Sequence, residues 1–162
     1  MTEEKNETLK KKHLEFAKST NNRVWDLLEK DERSPSDDEE MLLTAYTSLY
    51  HWMNAGTAVN TQRGYWMLSR VYQVLNQGEK ALKWARKCQE ITENSPADMN
   101  DFDLAFAREA LARAFAQLGD LEKAQNQYNL ALELGKKIED QEDREIFMRD
   151  FKGGNWYHYS PR

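Results

Sequence analysis

The chain has 162 residues, of which 40% are hydrophobic and 31% are charged, and its formal net charge at pH 7 is −5. This balance is typical of a single folded domain that buries a continuous core. The acidic net charge argues against nucleic acid as the main partner, because phosphate binding depends on a basic surface. With only 7 glycines and 3 prolines, long helices are favoured over a turn-rich fold.

The sequence shows no signal for export or for a membrane. The first residues, Met1 to Lys5, are charged and lack the apolar run of a signal peptide. No apolar stretch approaches the roughly 20 residues needed to span a bilayer. The single Cys88 cannot form an internal disulfide. We therefore expect a cytoplasmic protein that makes no contact with a membrane.

Residues 1–56 are expected to form an N-terminal helical hairpin. Over residues 7–30, apolar side chains recur mostly at three- and four-residue steps, as an amphipathic helix requires. A polar linker follows, in which Ser36 and Glu39 match a capping box just before an apolar run. The second helix is therefore expected to start near Asp37.

The second helix is apolar around most of its circumference, which is typical of a central helix. Its polar exceptions Thr44, Ser48 and His51 fall at i, i+4 and i+7 and share one stripe. Two interpretations are open. Either His51 is a hydrogen-bonded core histidine, or the stripe and the neighbouring Trp52 line a polar pocket shared with the third helix.

Residues 61–93 and residues 104–139 repeat one helix–turn–helix pattern, with Glu-Lys-Ala in both turns. Small residues recur where two helices would approach closely, and Leu or aromatic residues lie between them. The first-helix positions are Leu68, Ser69 and Tyr72 in one copy and Leu111, Ala112 and Phe115 in the other. The second-helix positions are Ala81, Ala85 and Cys88, and Ala124, Tyr128 and Ala131. This pattern resembles the tetratricopeptide repeat.

The match to that family is stronger in the second copy, and it has clear departures. The two copies are 43 residues apart, whereas ordinary repeats have a period of about 34. Arg108 stands where the family has an aromatic residue, and the usual closing proline is absent from both copies. The chain is therefore similar to a long-loop variant of the family.

The resemblance implies an all-α, right-handed array of helical hairpins with about seven helices. One such hairpin cannot bury its own apolar face, so neighbouring hairpins must stack on it. We expect residues 140–152 to form a capping helix with Phe147, Met148 and Phe151 on its apolar side. Residues 153–162 then form an aromatic tail.

In this family the first helices line a concave groove that contacts the ligand. The resemblance places Arg63, Trp66, Arg70 and Gln73 there from repeat one, and Phe106, Glu109 and Arg113 from repeat two. The repeat-one residues share a single helix face. Two arginines beside a tryptophan suit a carboxylate or a phosphate. Alternatively, the arginines pair with acidic residues of neighbouring helices and the tryptophan packs under the first or second helix.

Three functions are open. The leading one is a non-enzymatic binding module for a peptide or protein segment with an acidic group, held by Arg63 and Arg70 with Trp66 as the apolar wall. The alternative is a small-molecule sensor or enzyme with a pocket between helices two and three, which uses His51, Trp52 and Arg63. The third is a scaffold whose only partner is itself.

Motifs of catalysis and of metal binding are absent from the sequence. It has no His-Glu-x-x-His, no Gly-x-Ser-x-Gly and no glycine-rich phosphate loop. The histidines, His13, His51 and His158, have no metal-site spacing, so neither a metal nor a cofactor is expected. Cys88 occupies a repeat position that demands a small residue, so packing is expected of it rather than nucleophilic chemistry.

The aromatic tail contains Trp156, Tyr157 and Tyr159. These side chains can dock on the core of their own chain, mediate a homodimer, or belong to a disordered end. All three interpretations stay open at the level of sequence.

Overall fold

The computed structural model describes residues 2–161, and within this range the chain forms helices and no strand. Its elements are α1 (Glu3–Leu28), α2 (Pro35–Ala55), α3 (Ala58–Val74), α4 (Gly78–Asn94), a short 3-10 turn (Pro96–Asp98), α5 (Asp101–Leu118), α6 (Leu121–Lys136) and α7 (Gln141–Lys152). The first six helices pack in consecutive pairs, and α7 covers α5 and α6. The predicted all-α array of seven helices is confirmed. None of the described helices is long and apolar enough to cross a bilayer.

The start of α2 differs from the prediction. Ser34 is its N-cap: the Ser34 hydroxyl accepts a hydrogen bond from the Asp37 amide at 3.1 Å, and the Asp37 carboxylate accepts one from the Ser34 amide at 2.8 Å. The predicted capping box of Ser36 and Glu39 is therefore wrong. Pro35 explains the shift, because its fixed φ suits the first turn of a helix and its missing N–H is not needed there.

The prediction that α2 is central is also wrong. Its inner side is buried between α1 and α3, through Met41 and Ala45 among others. On its outer side, Leu43, Tyr50 and Met53 are 62%, 61% and 60% exposed. The helix is apolar on both sides although only one side meets the core.

The turns of the two repeats have the same backbone conformation. Asn76 and Gly119 occupy equivalent positions, and both have positive φ, 57° and 77°. In each turn the next amide donates to a carbonyl five residues earlier, at 2.9 Å in the first and 3.0 Å in the second. This is a Schellman cap, in which Asn is the common substitute for Gly. The repeat therefore extends from the side chains to the backbone.

Small residues bring the helices of each hairpin together. Ala81, Ala85 and Cys88 of α4 are fully buried against α3. Ser69 donates a hydrogen bond from its hydroxyl to the Ala81 carbonyl at 2.9 Å. A larger residue at position 69 or 81 would separate the two helices, so these positions explain the packing of the hairpin.

Gly135 of α6 lies directly against the ring of Phe147 of α7, and both residues are buried. A β-carbon at position 135 would overlap that ring. We expect Gly135→Ala to lower the free energy of unfolding by about 1–3 kcal/mol, since overpacking outweighs the better helix propensity of Ala. Urea denaturation measures this change. When Phe147 is replaced by leucine, Gly135→Ala should cost less stability than it does in the wild type. A stabilising effect of Gly135→Ala in the wild type would contradict the packing.

Candidate binding groove

A groove runs between the first helices of the hairpins and the last helix of the chain. It contains two adjoining cavities of about 350 and 220 Å³. The larger is lined by Asn21, Trp25, Gln62, Arg63, Trp66, Met67, Phe102, Asp103, Phe106, Ile146, Arg149 and Asp150. The smaller shares five of these residues and adds Arg70, Glu109, Gly153 and Gly154. The walls of the whole groove therefore come from α1, α3, α5 and α7.

Aromatic side chains from three helices form the apolar wall of the groove. The rings of Trp25 and Trp66 lie 6.0 Å apart, and the ring of Phe106 meets Trp66 edge-on at 5.4 Å. The Trp66 indole also donates a hydrogen bond to a carboxylate oxygen of Glu109 at 3.1 Å. This bond fixes the orientation of Trp66, so the wall is formed before any ligand binds.

Arg63 is paired across the groove with Asp103 of α5. Its guanidinium donates to both carboxylate oxygens, at 2.7 and 3.1 Å. Asp103 is only 1% exposed, and it also accepts a hydrogen bond from the Asn100 amide at 3.0 Å as part of the α5 cap. The hydrogen bond that Arg63 donates to Asp103 raises the pKa of Arg63 above its usual value. The expectation that Arg63 is free to hold an acidic ligand is therefore not met.

Arg113 does not reach the groove, and Glu109, although it lines the smaller cavity, is buried and paired, whereas the sequence places both on the outward face. Arg113 is completely buried and pairs with Glu109 one turn earlier on α5. Its guanidinium donates to the carbonyls of Asp150, Gly153 and Asn155, at 2.9, 3.1 and 2.9 Å. The end of α7 and the tail thus fold over this part of α5. The pair holds the C-terminal segment in place, and Arg113 is fully shielded from solvent.

Gln73 is likewise buried, with 2% of its surface exposed, because Gln117 of α5 covers it. Its side-chain NH₂ group donates to the Ser69 hydroxyl at 3.2 Å, and its backbone carbonyl accepts from the Gln117 side chain at 2.9 Å. The prediction of Gln73 as a groove residue is therefore wrong. Its position near the end of α3 lies where α5 packs, which periodicity alone does not show.

Of the three predicted groove arginines, Arg70 is the one whose guanidinium is not paired with a carboxylate of the described residues. It is partly buried and lines the smaller cavity. Within residues 2–161 it forms no hydrogen bond or ion pair. Arg149 reaches the same cavity from α7 and is paired only with the exposed carboxylate of its neighbour Asp150, at 3.3 Å. The two arginines face one space from different helices.

The sequence pattern missed most of the residues that line the groove, among them Trp25, Phe102, Ile146 and Arg149. The sequence carried one signal for Trp25, a tryptophan in a largely polar helix, and the structure shows it 37% exposed. The others depend on how α5 and α7 pack, and no local pattern indicates that.

Residues 107–136 match the tetratricopeptide repeat family. They cover most of α5 and all of α6, which form the second repeat and carry the stronger form of the pattern. The chain is tetratricopeptide-like. Comparison with curated proteins and with solved structures finds no significant match. The two cavities lie beside α3 and α5, the first helices of the two repeats.

In the tetratricopeptide-like array, the alternative site around His51 faces α1 and not α3. The Ser48 hydroxyl donates to the Ala17 carbonyl at 2.9 Å, and the Nδ1 atoms of His51 and His13 are 2.7 Å apart. Thr44 donates to the Glu40 carbonyl of its own helix at 2.8 Å. The prediction that this stripe lines a pocket between helices two and three is therefore wrong. The stripe fastens α2 to α1.

His51 and His13 face each other through their Nδ1 atoms, which are within hydrogen-bond distance. Burial, and then the charge of His13, lowers the pKa of His51 below its usual value. One imidazole must be neutral to accept the hydrogen bond of the other. Trp52, the fourth residue of this alternative site, is partly buried on the same helix. These contacts describe a helix–helix junction.

Cys88 is a buried free thiol. Burial raises the pKa of the Cys88 thiol, and the Cys88 carbonyl accepts a hydrogen bond from Thr92 at 2.6 Å. A thiol in this environment stays protonated and packs as a small apolar group. Residues 2–161 contain no group of three or more His, Cys, Asp or Glu side chains arranged to hold a metal ion.

Proposed function

We propose that this chain is a non-enzymatic binding module whose groove holds a peptide or protein segment with an apolar side chain next to an acidic group. The family match supports an interaction scaffold in general. The finer proposal rests on one observation: an aromatic cavity of about 350 Å³ adjoins a smaller one into which the unpaired Arg70 reaches.

The larger cavity suits one bulky apolar side chain of a partner. Its volume is at the lower end of the range of roughly 300–1,000 Å³ found for ligand pockets. Trp25 and Trp66 form one side, and Phe102 and Phe106 form another. A side chain placed between them would lose water on most of its surface. Such buried aromatic anchors dominate the energy of many interfaces.

The charges around the groove favour an acidic group. Three carboxylates that line the cavities already lie beside an arginine, in the pairs Asp103 with Arg63, Glu109 with Arg113, and Asp150 with Arg149. Arg70 is left without such a partner among the described residues. A carboxylate on the bound segment would supply it, through a charge-assisted hydrogen bond in a partly buried place.

We expect Arg70→Glu to weaken capture of the partner at least about tenfold, because the new carboxylate repels the acidic group. Partners are captured from the native lysate with the full chain, and the interacting segment is then synthesised as a peptide. Fluorescence anisotropy of that peptide gives the dissociation constant for each variant. Replacement of the acidic residue of the peptide by its amide should reduce the affinity for the wild type more than for Arg70→Glu.

Lys137→Glu is the matched control, since it makes the same charge change at an exposed residue outside both cavities. It should leave the affinity within about twofold at physiological salt, where distant surface charges are screened. Equal losses in the two variants, or an unchanged affinity in Arg70→Glu, would refute the groove proposal. A drop in thermal stability of Arg70→Glu alone would instead mark Arg70 as a structural residue.

The tetratricopeptide family is generally non-catalytic, which supports the absence of enzymatic activity that we propose. A cytoplasmic location, the lack of a nucleic-acid or membrane partner, and a homodimer through the tail all stay predictions.

A further inference from the structure

Residues 41–62 contain no Asp, Glu, Lys or Arg, although 31% of the chain is charged. Burial explains the inner side of this stretch. Burial does not explain why the outer side is also uncharged. Four apolar or aromatic residues there are exposed: Leu43, Tyr46, Tyr50 and Met53, at 62%, 38%, 61% and 60%. A contiguous apolar surface of this kind on a folded protein marks an interaction site more often than a chance arrangement.

These four residues form a continuous stripe along α2. They fall at i, i+3, i+7 and i+10, so they share one helix face over roughly 15 Å. Tyr46 joins the stripe to the next hairpin, because its hydroxyl lies 2.8 Å from the Tyr72 hydroxyl and its ring meets Trp84 of α4 edge-on at 5.7 Å. Tyr46 is thus the contact between the stripe and the α3–α4 hairpin.

Lysines of α4 border this stripe. The Nζ atoms of Lys83 and Lys87 lie 5.7 and 5.8 Å from the centre of the Trp84 ring, and that of Lys80 lies 5.4 Å from the Tyr72 ring. In the described part of the chain none of the three lysines forms an ion pair, although Glu79 and Glu90 are on the same helix. The stripe therefore has one positively charged edge.

We propose that this outer α2–α4 face, made of the α2 stripe and the α4 lysines, binds an acidic amphipathic helix of a partner protein. The apolar residues of such a helix, spaced at i, i+3 or i+4, and i+7, would cover the stripe. Its Asp and Glu residues, on one flank, would meet Lys83 and Lys87. The face is separate from the groove, whose walls come from α1, α3, α5 and α7.

Charge distinguishes this occupant from a second copy of the chain. In a two-fold dimer both subunits use the same surface. That surface would bring another uncharged stripe and the same lysines, so the lysines would gain no carboxylate. RNA would satisfy the lysines, but it offers no apolar side chain to cover Leu43 and Met53. An acidic amphipathic helix meets both requirements.

The test uses a display library of 18-residue helical peptides with fixed apolar positions and randomised flanks, selected on the full chain. We expect the enriched peptides to carry Asp or Glu on one flank. Their affinity should fall at least about tenfold for Leu43→Glu/Tyr50→Glu, which changes two exposed side chains of the stripe. Lys83→Glu/Lys87→Glu should reverse the preference towards Lys and Arg. Leu121→Glu, at an exposed leucine of α6, should leave binding unchanged.

Circular dichroism confirms that each variant is folded before binding is compared. The proposal is overturned if no peptide is enriched, if the enriched peptides show no acidic bias, or if they bind Leu43→Glu/Tyr50→Glu as tightly as the wild type. A wild-type dimer in sedimentation that Leu43→Glu/Tyr50→Glu abolishes would assign the face to a second copy instead. Binding of a random single-stranded RNA pool that Lys83→Glu/Lys87→Glu abolishes would assign it to nucleic acid.

Discussion

Arg113→Ala is expected to lower the free energy of unfolding by about 3–5 kcal/mol, the usual cost of removing one member of a buried ion pair. Arg113 is fully buried and pairs with Glu109, which is 3% exposed. Without it, the Glu109 carboxylate would stay buried with only the Trp66 indole as a donor. The carbonyls of residues 150, 153 and 155 would lose their donor as well. Equilibrium urea unfolding measures the change.

Two further variants make the result specific to the buried pair. Arg149→Ala removes an arginine whose side chain is 74% exposed, and it should cost less than about 0.5 kcal/mol. Replacing both Arg113 and Glu109 by methionine should cost less than Arg113→Ala, because no unpaired charge remains in the core. If Arg113→Ala unfolds within about 1 kcal/mol of the wild type, the pair does not hold the C-terminal segment.

The repeat architecture was readable from the sequence because its determinants are local. Leu68, Ser69 and Tyr72 define one face of a helix by spacing alone, and all three are buried. The turn at Gly119 shows itself through a glycine at a helix end and an acidic N-cap one residue later, Asp120, whose carboxylate accepts from the Lys123 amide at 3.3 Å. Such signals act within a few residues, so one sequence is enough to read them.

The state of the groove residues was not readable, because it depends on what covers them. Periodicity correctly puts Arg113 on the opposite face of α5 from Leu111, but it cannot show that residues 150–156 return across that face. Likewise, spacing puts Arg63 on a surface of α3, and only the distance between α3 and α5 brings it to Asp103. The sequence left an open groove and ion pairs as alternatives, and the packing distinguishes them residue by residue.

The wrong prediction that α2 is a central helix has a different cause. An apolar pattern around a whole helix predicts burial on all sides, and α2 has neighbours on one side within the described chain. The physical reasoning from pattern to burial holds, but it assumes that every buried surface is covered by the same chain. If the outer α2–α4 face binds a partner helix, as we propose, the pattern of α2 describes the complex and not the isolated chain.

Trp156→Ala is expected to lower the free energy of unfolding by about 3–5 kcal/mol, as is usual for the loss of a large buried aromatic residue. Trp156 is 9% exposed and its indole donates to the Phe151 carbonyl at 3.0 Å. Its ring meets that of Tyr128 at 4.9 Å, and the Arg113 guanidinium lies over it at 4.1 Å. Urea unfolding gives the stability, and Trp25→Ala, at a residue 37% exposed, should cost less.

The same variant tests whether the aromatic tail acts within one chain or between two. Because Trp156 and Arg113 touch, Trp156→Ala/Arg113→Ala should cost less than the sum of the single losses. For a contact within one chain, the melting temperature of the wild type and the loss in Trp156→Ala should not change with protein concentration. A contact between two chains would make both rise with concentration, since association stabilises by mass action. Chain truncation after Lys152 should cost more than Trp156→Ala, because it also removes the Gly153 and Asn155 carbonyls that accept from Arg113. For a contact within one chain, this cost should be the same at every concentration.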